Sequence, residues 1–252
     1  MGEARARASG RRGGDAETTD ANDDEKDEKD ATKGEREQRN GISREDILSS
    51  CTSTSMAMVI GAIGVRAGAS AASAEASRWD LERAAPLASD DFTTMALTAI
   101  VVASAVTVGR IVLLEVWDEF AASTDRSNAQ VLGALEGAMD VAFVATLPAI
   151  GEELLFRGTL LPLIGGLPGV FVSSVVFGAL HVGGGRTAAF GVWASAVGAC
   201  YGACALHTGS VAAPMAAHAL ANIASAVYWN ATRADKLATT TTNLGTSEPK
   251  VK

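Results

Sequence analysis

Between Thr52 and about Asn230 the chain alternates apolar runs close to twenty residues long with short polar or glycine-rich breaks. A helix needs about 20 residues to cross roughly 30 Å of hydrocarbon, so runs of that length predict membrane spans. Residues 187–206 hold no charge and are the clearest. Residues 131–150 are apolar apart from Glu136 and Asp140, which at i and i+4 would share a helical face directed at protein or water. Residues 169–182 and 211–229 complete four good spans, the last ending in Tyr228-Trp229, a pair suited to the headgroup level. Up to two weaker spans lie upstream. Residues 95–114 are interrupted by Arg110 and followed by Trp117, a further interfacial candidate, and residues 56–74 are Ala- and Gly-rich and carry Arg66.

In lipid every backbone polar group must be satisfied internally, which leaves helices or a closed barrel. No alternating barrel pattern is present, so the fold class is all-α: a polytopic transmembrane helical bundle with disordered polar termini. Small residues crowd 187–206 and 211–227 and would let helices approach closely. Pro148 lacks a backbone donor and is expected to kink or restart its helix one turn before Glu152. Residues 159–168, with Pro162, Gly165, Gly166 and Pro168, read as a turn, and residues 183–186 as a second, glycine-rich one. The segment 115–130 reads as an acidic loop.

Composition changes this picture only at the ends. The chain is 48% apolar, and its mean hydropathy of +0.18 would suit a soluble domain, but residues 1–46 hold ten Lys or Arg against fourteen Asp or Glu with almost no aliphatic residues. Such a segment cannot bury enough apolar surface to offset its ordering entropy. The expected organisation is therefore a disordered mixed-charge tail over 1–46, a helical bundle over 52–230 with the chemistry concentrated at about 131–229, and a polar tail over 230–252. The acids of the first tail argue against a nucleic-acid partner and against an organelle transit peptide. Loop charges do not fix the orientation in the membrane.

Within the apolar runs a few polar residues stand out. In Gly151-Glu152-Glu153-Leu154-Leu155-Phe156-Arg157-Gly158, Glu153 and Arg157 are four residues apart, so on a helix the arginine neutralises that carboxylate while Glu152 points about 100° away. An ionisable group at membrane depth is expensive unless paired or facing a wet cavity, and it marks a functional site. Phe177 and His181, and His218 and Asn222, repeat the i, i+4 spacing on two further runs.

Those three blocks, with Thr208-Gly209-Ser210 and Pro214 before the last, resemble the CAAX protease and bacteriocin-processing family, which includes type II CAAX prenyl proteases and lysostaphin resistance protein A-like members. The resemblance covers roughly residues 145–225. It implies an intramembrane endopeptidase in which Glu152, Glu153, His181, His218 and Asn222 form the catalytic set, supported by Arg157 and Phe177. It implies a peptide or membrane-anchored protein substrate, prenylated CAAX proteins among the candidates, in contact with membrane lipid. Eukaryotic CAAX proteases tend to carry further histidines after the second motif and a Cys before the final Asn. Here Val182-Gly183-Gly184 follows His181 and Ala221 precedes Asn222, which resembles the bacterial and plastid branch. The compartment stays open among plastid, endoplasmic reticulum and plasma membrane.

The residue types are those that peptide hydrolysis needs: an activated water, a proton for the leaving amine, and a donor to the oxyanion. Glu152 and His181 can hold and deprotonate water, His218 can assist, and the Asn222 amide can donate to the oxyanion. The zinc signature His-Glu-x-x-His is absent, yet His181, His218 and Glu152 on separate helices could hold a divalent metal such as zinc with one position open. A metal-free glutamate-activated water fits the same groups and is the preferred reading, since Cys ligands are lacking. A catalytically silent scaffold would use these residues for packing alone, and a proton-coupled transporter would use Glu136, Asp140 and the histidines as a relay. The missing internal repeat disfavours the transporter. Cys51, Cys200 and Cys204 form no Cys-x-x-Cys pattern and read as packing residues, and His207 as an interfacial one.

Overall fold

Almost every apolar run is helical. The computed structural model describes residues 42–72, 86 and 91–233, all within one compact unit assigned to residues 42–252. Most of the two polar tails, 1–41 and 234–252, lies outside the described residues. The elements are α1 (Arg44–Ala72), α2 (Phe92–Val116), α3 (Asp118–Leu132), α4 (Ala138–Leu155), a π-helical turn (Phe156–Leu160), α5 (Leu161–Ile164), α6 (Gly166–Leu180), α7 (Ala188–Thr208) and α8 (Ala212–Thr232). Among the described residues there is no strand, only an isolated bridge between Gly183 and Arg186.

Three helices among the described residues are long and apolar enough to cross a membrane: α1 over Arg44–Ala69, all of α2 and all of α7. Helix α6 is apolar but shorter. Helices α4 and α8 have the length and fall outside this set, because Asp140, Glu152 and Glu153 on one and His218, Asn222 and Asn230 on the other lower their hydropathy. Large apolar side chains such as Ile60, Ile63, Leu97, Val101, Leu167 and Phe171 point outward. So much exposed apolar surface would be an aggregation hazard in water and is the natural outer face of a bundle in lipid.

Helix α4 is the hub, packed on α1 on one side and α8 on another, while α6 lies along α7 and α8 also meets α2. Glycine makes the tightest of these crossings. A Cβ on Gly178 of α6 would strike Ser195 Oγ and the Gly191 carbonyl of α7, and one on Gly151 would stand 2.9 Å from the Ser55 carbonyl oxygen of α1. A buried cluster of Leu114, Phe120, Phe156, Phe177 and Phe190 fills the space between α2, α3, α6 and α7. Asp91 caps α2 by accepting from the Thr94 backbone N–H, and the hydrogen bonds from Thr94 hold its carboxyl below the usual range.

Several expectations need correcting. Residues 131–150 are not one span: the helix ends at Leu132, the chain turns through residues 133–137, and α4 starts at Ala138. Glu136 and Asp140 therefore share no helical face. Asp140 instead accepts from the Glu136 backbone N–H and takes two 2.6 Å hydrogen bonds from Arg44 of α1. The supposed acidic loop 115–130 is largely α3, whose first-turn acids Asp118 and Glu119 suit a helix N-terminus and whose Ser123, Thr124 and Ser127 are buried. Helix α4 runs unbroken through Pro148. Residues 159–164 continue as π- and α-helix, and the turn is confined to Gly165 and Gly166, both at positive φ. Helix ends at Arg44 and Thr232 fall within the tails drawn at 46 and 230. Trp229 is buried with its indole donating to Asp125, Tyr228 packs beside the aromatic cluster, and Trp117 stacks on Phe120. The three cysteines are free.

Candidate functional site

The π-helical turn continues directly from α4 and places Arg157 in the interior. A π-turn inserts an extra residue into the helical ladder and re-aims the side chains beyond it, a device frequent at functional sites. Arg157 and Glu153 are both fully buried, with Arg157 Nη1 donating to Glu153 Oε1 at 2.9 Å and Nη2 to the Gly198 carbonyl at 2.8 Å. A Cβ at position 198 would lie 3.1 Å from that same Nη2, so glycine there makes room for the guanidinium. The guanidinium also sits 4.8 Å from the Phe177 ring centroid and 5.6 Å from that of Tyr201. Arg66 of α1 donates to the Gly158 carbonyl and ties the π-turn to the first helix.

Glu153 has a second partner that spacing alone does not reveal. His218 Nδ1 lies 2.9 Å from Glu153 Oε1, and the Tyr201 ring stacks on the imidazole at 4.8 Å between centroids. An ionised carboxylate only accepts, so Nδ1 of His218 carries the proton and its Nε2 has a bare lone pair in the neutral ring. His181, just past the end of α6, is fixed by the same logic. Its Nδ1 lies 2.7 Å from the Phe177 carbonyl oxygen, which can only accept, so in the neutral ring its Nε2 is bare as well. Phe177 holds the ring in place from below at 4.3 Å.

Both Nε2 atoms face Glu152 Oε2, His181 at 4.0 Å and His218 at 3.9 Å. Glu152 Oε2 is buried with no hydrogen-bond partner. With neutral rings and an ionised Glu152, three acceptors thus converge on one small space and none donates to another. Such a constellation is satisfied by a donor, such as water, or by a cation. The space opens into a cavity of about 200 Å³ whose wall includes Glu152, His181, His218, Asn222, Arg110 and Arg186.

Asn222, one turn beyond His218, reaches this cavity while its Nδ2 donates to the Ala145 carbonyl of α4 at 3.2 Å. An amide nitrogen has two protons, so one remains for another acceptor. Five of the singled-out residues, Glu152, Glu153, His181, His218 and Asn222, are therefore brought together, with Arg157 and Phe177 behind them. His207 is exposed on α7 and does not line the cavity. Sequence reasoning missed that Tyr201 stacks on His218 and that Phe190, Arg110 and Arg186 line the cavity. Arg110 was at least visible as the lone charge in an apolar run, whereas an aromatic in a buried helix gives no signal of its neighbour.

Whether the site suits a metal is a question of donors and spacing. Two imidazoles with Nδ1 already engaged and one carboxylate are the right kinds of ligand, and hydrogen bonds from the far ring nitrogen are typical of metal-binding histidines. Three ligands at about 2.0 Å around a tetrahedral zinc stand roughly 3.3 Å apart, closer than the 3.9 and 4.0 Å found here. Among the described residues no His, Cys, Asp and Glu group is close enough as it stands to form a metal site. The chemistry fits and the spacing is wide.

A helical membrane bundle with a buried glutamate and two histidines on separate helices defines the class. Residues 134–224, from the break before α4 to the middle of α8, match the family described as type II CAAX prenyl endopeptidase Rce1-like. Together with the apolar helices α1, α2 and α7, the match makes the chain an integral membrane protein. No curated protein and no solved structure matches the chain.

Proposed function

We propose that the chain is an intramembrane endopeptidase that splits peptide bonds with a water activated by Glu152 and His181. The observation that carries this reading is the convergence of Glu152 Oε2 and two bare Nε2 atoms on one buried space. A water there donates one proton toward Glu152 and the other toward an imidazole. Glu152 removes a proton as the water oxygen attacks the peptide carbonyl carbon, and the same proton passes to the leaving amine. Glu153 holds His218 in the tautomer that leaves Nε2 facing the reaction, much as a carboxylate orients a catalytic histidine elsewhere. Arg157 serves Glu153 as its charge partner. Were a metal bound, Glu152, His181 and His218 would hold it, and it would acidify a bound water. Membrane-anchored proteins, prenylated ones included, are the substrate class that the family match favours.

Purified protein incubated with a peptide library should generate new amino termini. A wild-type protein that binds peptides and cuts none is a scaffold. Exhaustive chelation is expected to leave most of the turnover intact, because a glutamate and a histidine suffice to activate water. Loss on chelation with recovery on added zinc makes His181, His218 and Glu152 ligands instead.

Asn222 supplies the oxyanion donor in this scheme. Asn222→Ala is expected to lower kcat by about 100- to 1000-fold with little change in KM, since the donor meets a charge present only in the transition state. Its bond to Ala145 supports a rival role as interhelical glue, worth about 0.6 kcal/mol in a membrane bundle. A lowered melting temperature with kcat within a few-fold of wild type would decide for glue.

A further inference from the structure

The cavity that holds Glu152 is lined by two arginines that the catalytic scheme leaves unused. Arg110 comes from the C-terminal third of α2, a helix apolar enough to span a membrane, and Arg186 from the glycine-rich loop before α7. Among the described residues neither forms an ion pair. The acid closest to serving Arg110 is engaged elsewhere, Asp125 taking Arg233 and the Trp229 indole. Arg110 makes no hydrogen bond to a described residue, and the Phe190 ring lies 5.9 Å from its guanidinium carbon. Arg186 lies 4.8 Å from the same ring and is steadied by donating from Nε to Ser127 Oγ.

The position of Arg186 is built rather than incidental. Helix α3 grips its loop at three points: Ser127 takes Arg186, Ser123 takes the Thr187 backbone N–H at 3.0 Å, and Arg126 reaches the Gly185 carbonyl at 3.4 Å. Phe190, which lies near both guanidiniums, also stacks on His181 at 6.3 Å. The basic pair is thus one aromatic ring away from the groups that face Glu152.

Charge decides what such a wall takes. Among the described residues the cavity lining carries two guanidiniums and one carboxylate, that of Glu152. Ionised side chains at membrane depth persist when they are paired or used. A guanidinium presents a planar fork matched to a carboxylate, and such hydrogen bonds are among the strongest available to a protein.

We propose that Arg110 and Arg186 form a substrate subsite that binds a carboxylate of the peptide being cut, placing the scissile bond at Glu152. This rests on the endopeptidase reading and adds to it a requirement for negative charge near the cleavage point. The carboxylate has two possible sources in a peptide, an Asp or Glu side chain and the free C-terminus, and the experiment separates them.

Short peptides that the wild type cuts are prepared in matched pairs, Asp against Asn at single positions and C-terminal acid against C-terminal amide. One member of a pair should be preferred by roughly 10- to 150-fold in kcat/KM, the span of one lost charge-assisted hydrogen bond. The pair that shows the preference identifies the source. Arg110→Gln and Arg186→Gln should each shrink that preference toward unity, and Arg110→Lys should keep part of it.

Binding of the same pairs to Glu152→Gln gives a readout independent of turnover, and the charged member should again bind more tightly. Equal kcat/KM and equal binding within every pair overturn the subsite while leaving the endopeptidase standing. Displacement of anionic lipid, with no preference within any pair, would assign the arginines to a headgroup and also overturn it. A charge preference in binding with no cleavage by wild type would support the subsite and sink the endopeptidase.

Discussion

Glu152→Gln is expected to abolish peptide hydrolysis, lowering kcat by at least about 1000-fold, while the protein remains folded in detergent. The change keeps the side chain's size and removes its ability to accept a proton, and loss of general acid–base function alone costs about 100- to 10,000-fold. Fold is spared because Glu152 anchors no neighbour by a hydrogen bond from its buried Oε2 among the described residues, and the imidazoles stand 3.9 and 4.0 Å away. Removing an unpartnered buried carboxylate should raise the melting temperature slightly, if it moves at all. This combination of dead turnover and undiminished stability marks a group kept for chemistry. Turnover of Glu152→Gln within ten-fold of wild type would sink the water-activation scheme, whatever its stability.

The division between Glu152 and Glu153 could be read from spacing, and so could the carrier helices of His181, His218 and Asn222. Local periodicity dictates which residues share a face, and Arg157 four residues after Glu153 can only serve that carboxylate. What periodicity cannot give is the partner on another helix. Nothing local connects Glu153 with His218, 65 positions away in the chain, or sets Tyr201 against the His218 ring. The π-turn escaped because its residues are ordinary, while its tertiary ties are distant in sequence: Arg66 to the Gly158 carbonyl, and Arg157 to the Gly198 carbonyl. Helix α3 escaped for the opposite reason. Its polar face is buried against the loop before α7, so hydropathy made it a loop when the tertiary contacts of Ser123 and Ser127 made it a structural brace. The site's own polarity also hid α4 and α8 from a search for apolar helices.

Arg157→Ala is expected to cost about 3 to 5 kcal/mol of stability, the usual cost of breaking a buried ion pair from one side, and so to lower Tm by roughly 10 °C or more. The side chain is fully buried, and its loss strips Glu153 of its charge partner and the Gly198 carbonyl of its donor. Glu153 would then keep His218 as its one remaining side-chain partner among the described residues, and since that carboxylate orients the imidazole facing Glu152, activity should fall together with stability. Charge and packing separate in a second variant. Combining Arg157→Met with Glu153→Gln removes both charges at nearly constant volume, and such a swap is often neutral or better for stability. Stability should return in the double variant while turnover does not, because a neutral amide at position 153 no longer forces the His218 proton onto Nδ1. Chemical denaturation and peptide turnover on the wild type and these two variants check this. Arg157→Ala as stable as wild type would remove the ion pair from the account, and full turnover in the double variant would remove Glu153 as the residue that positions His218.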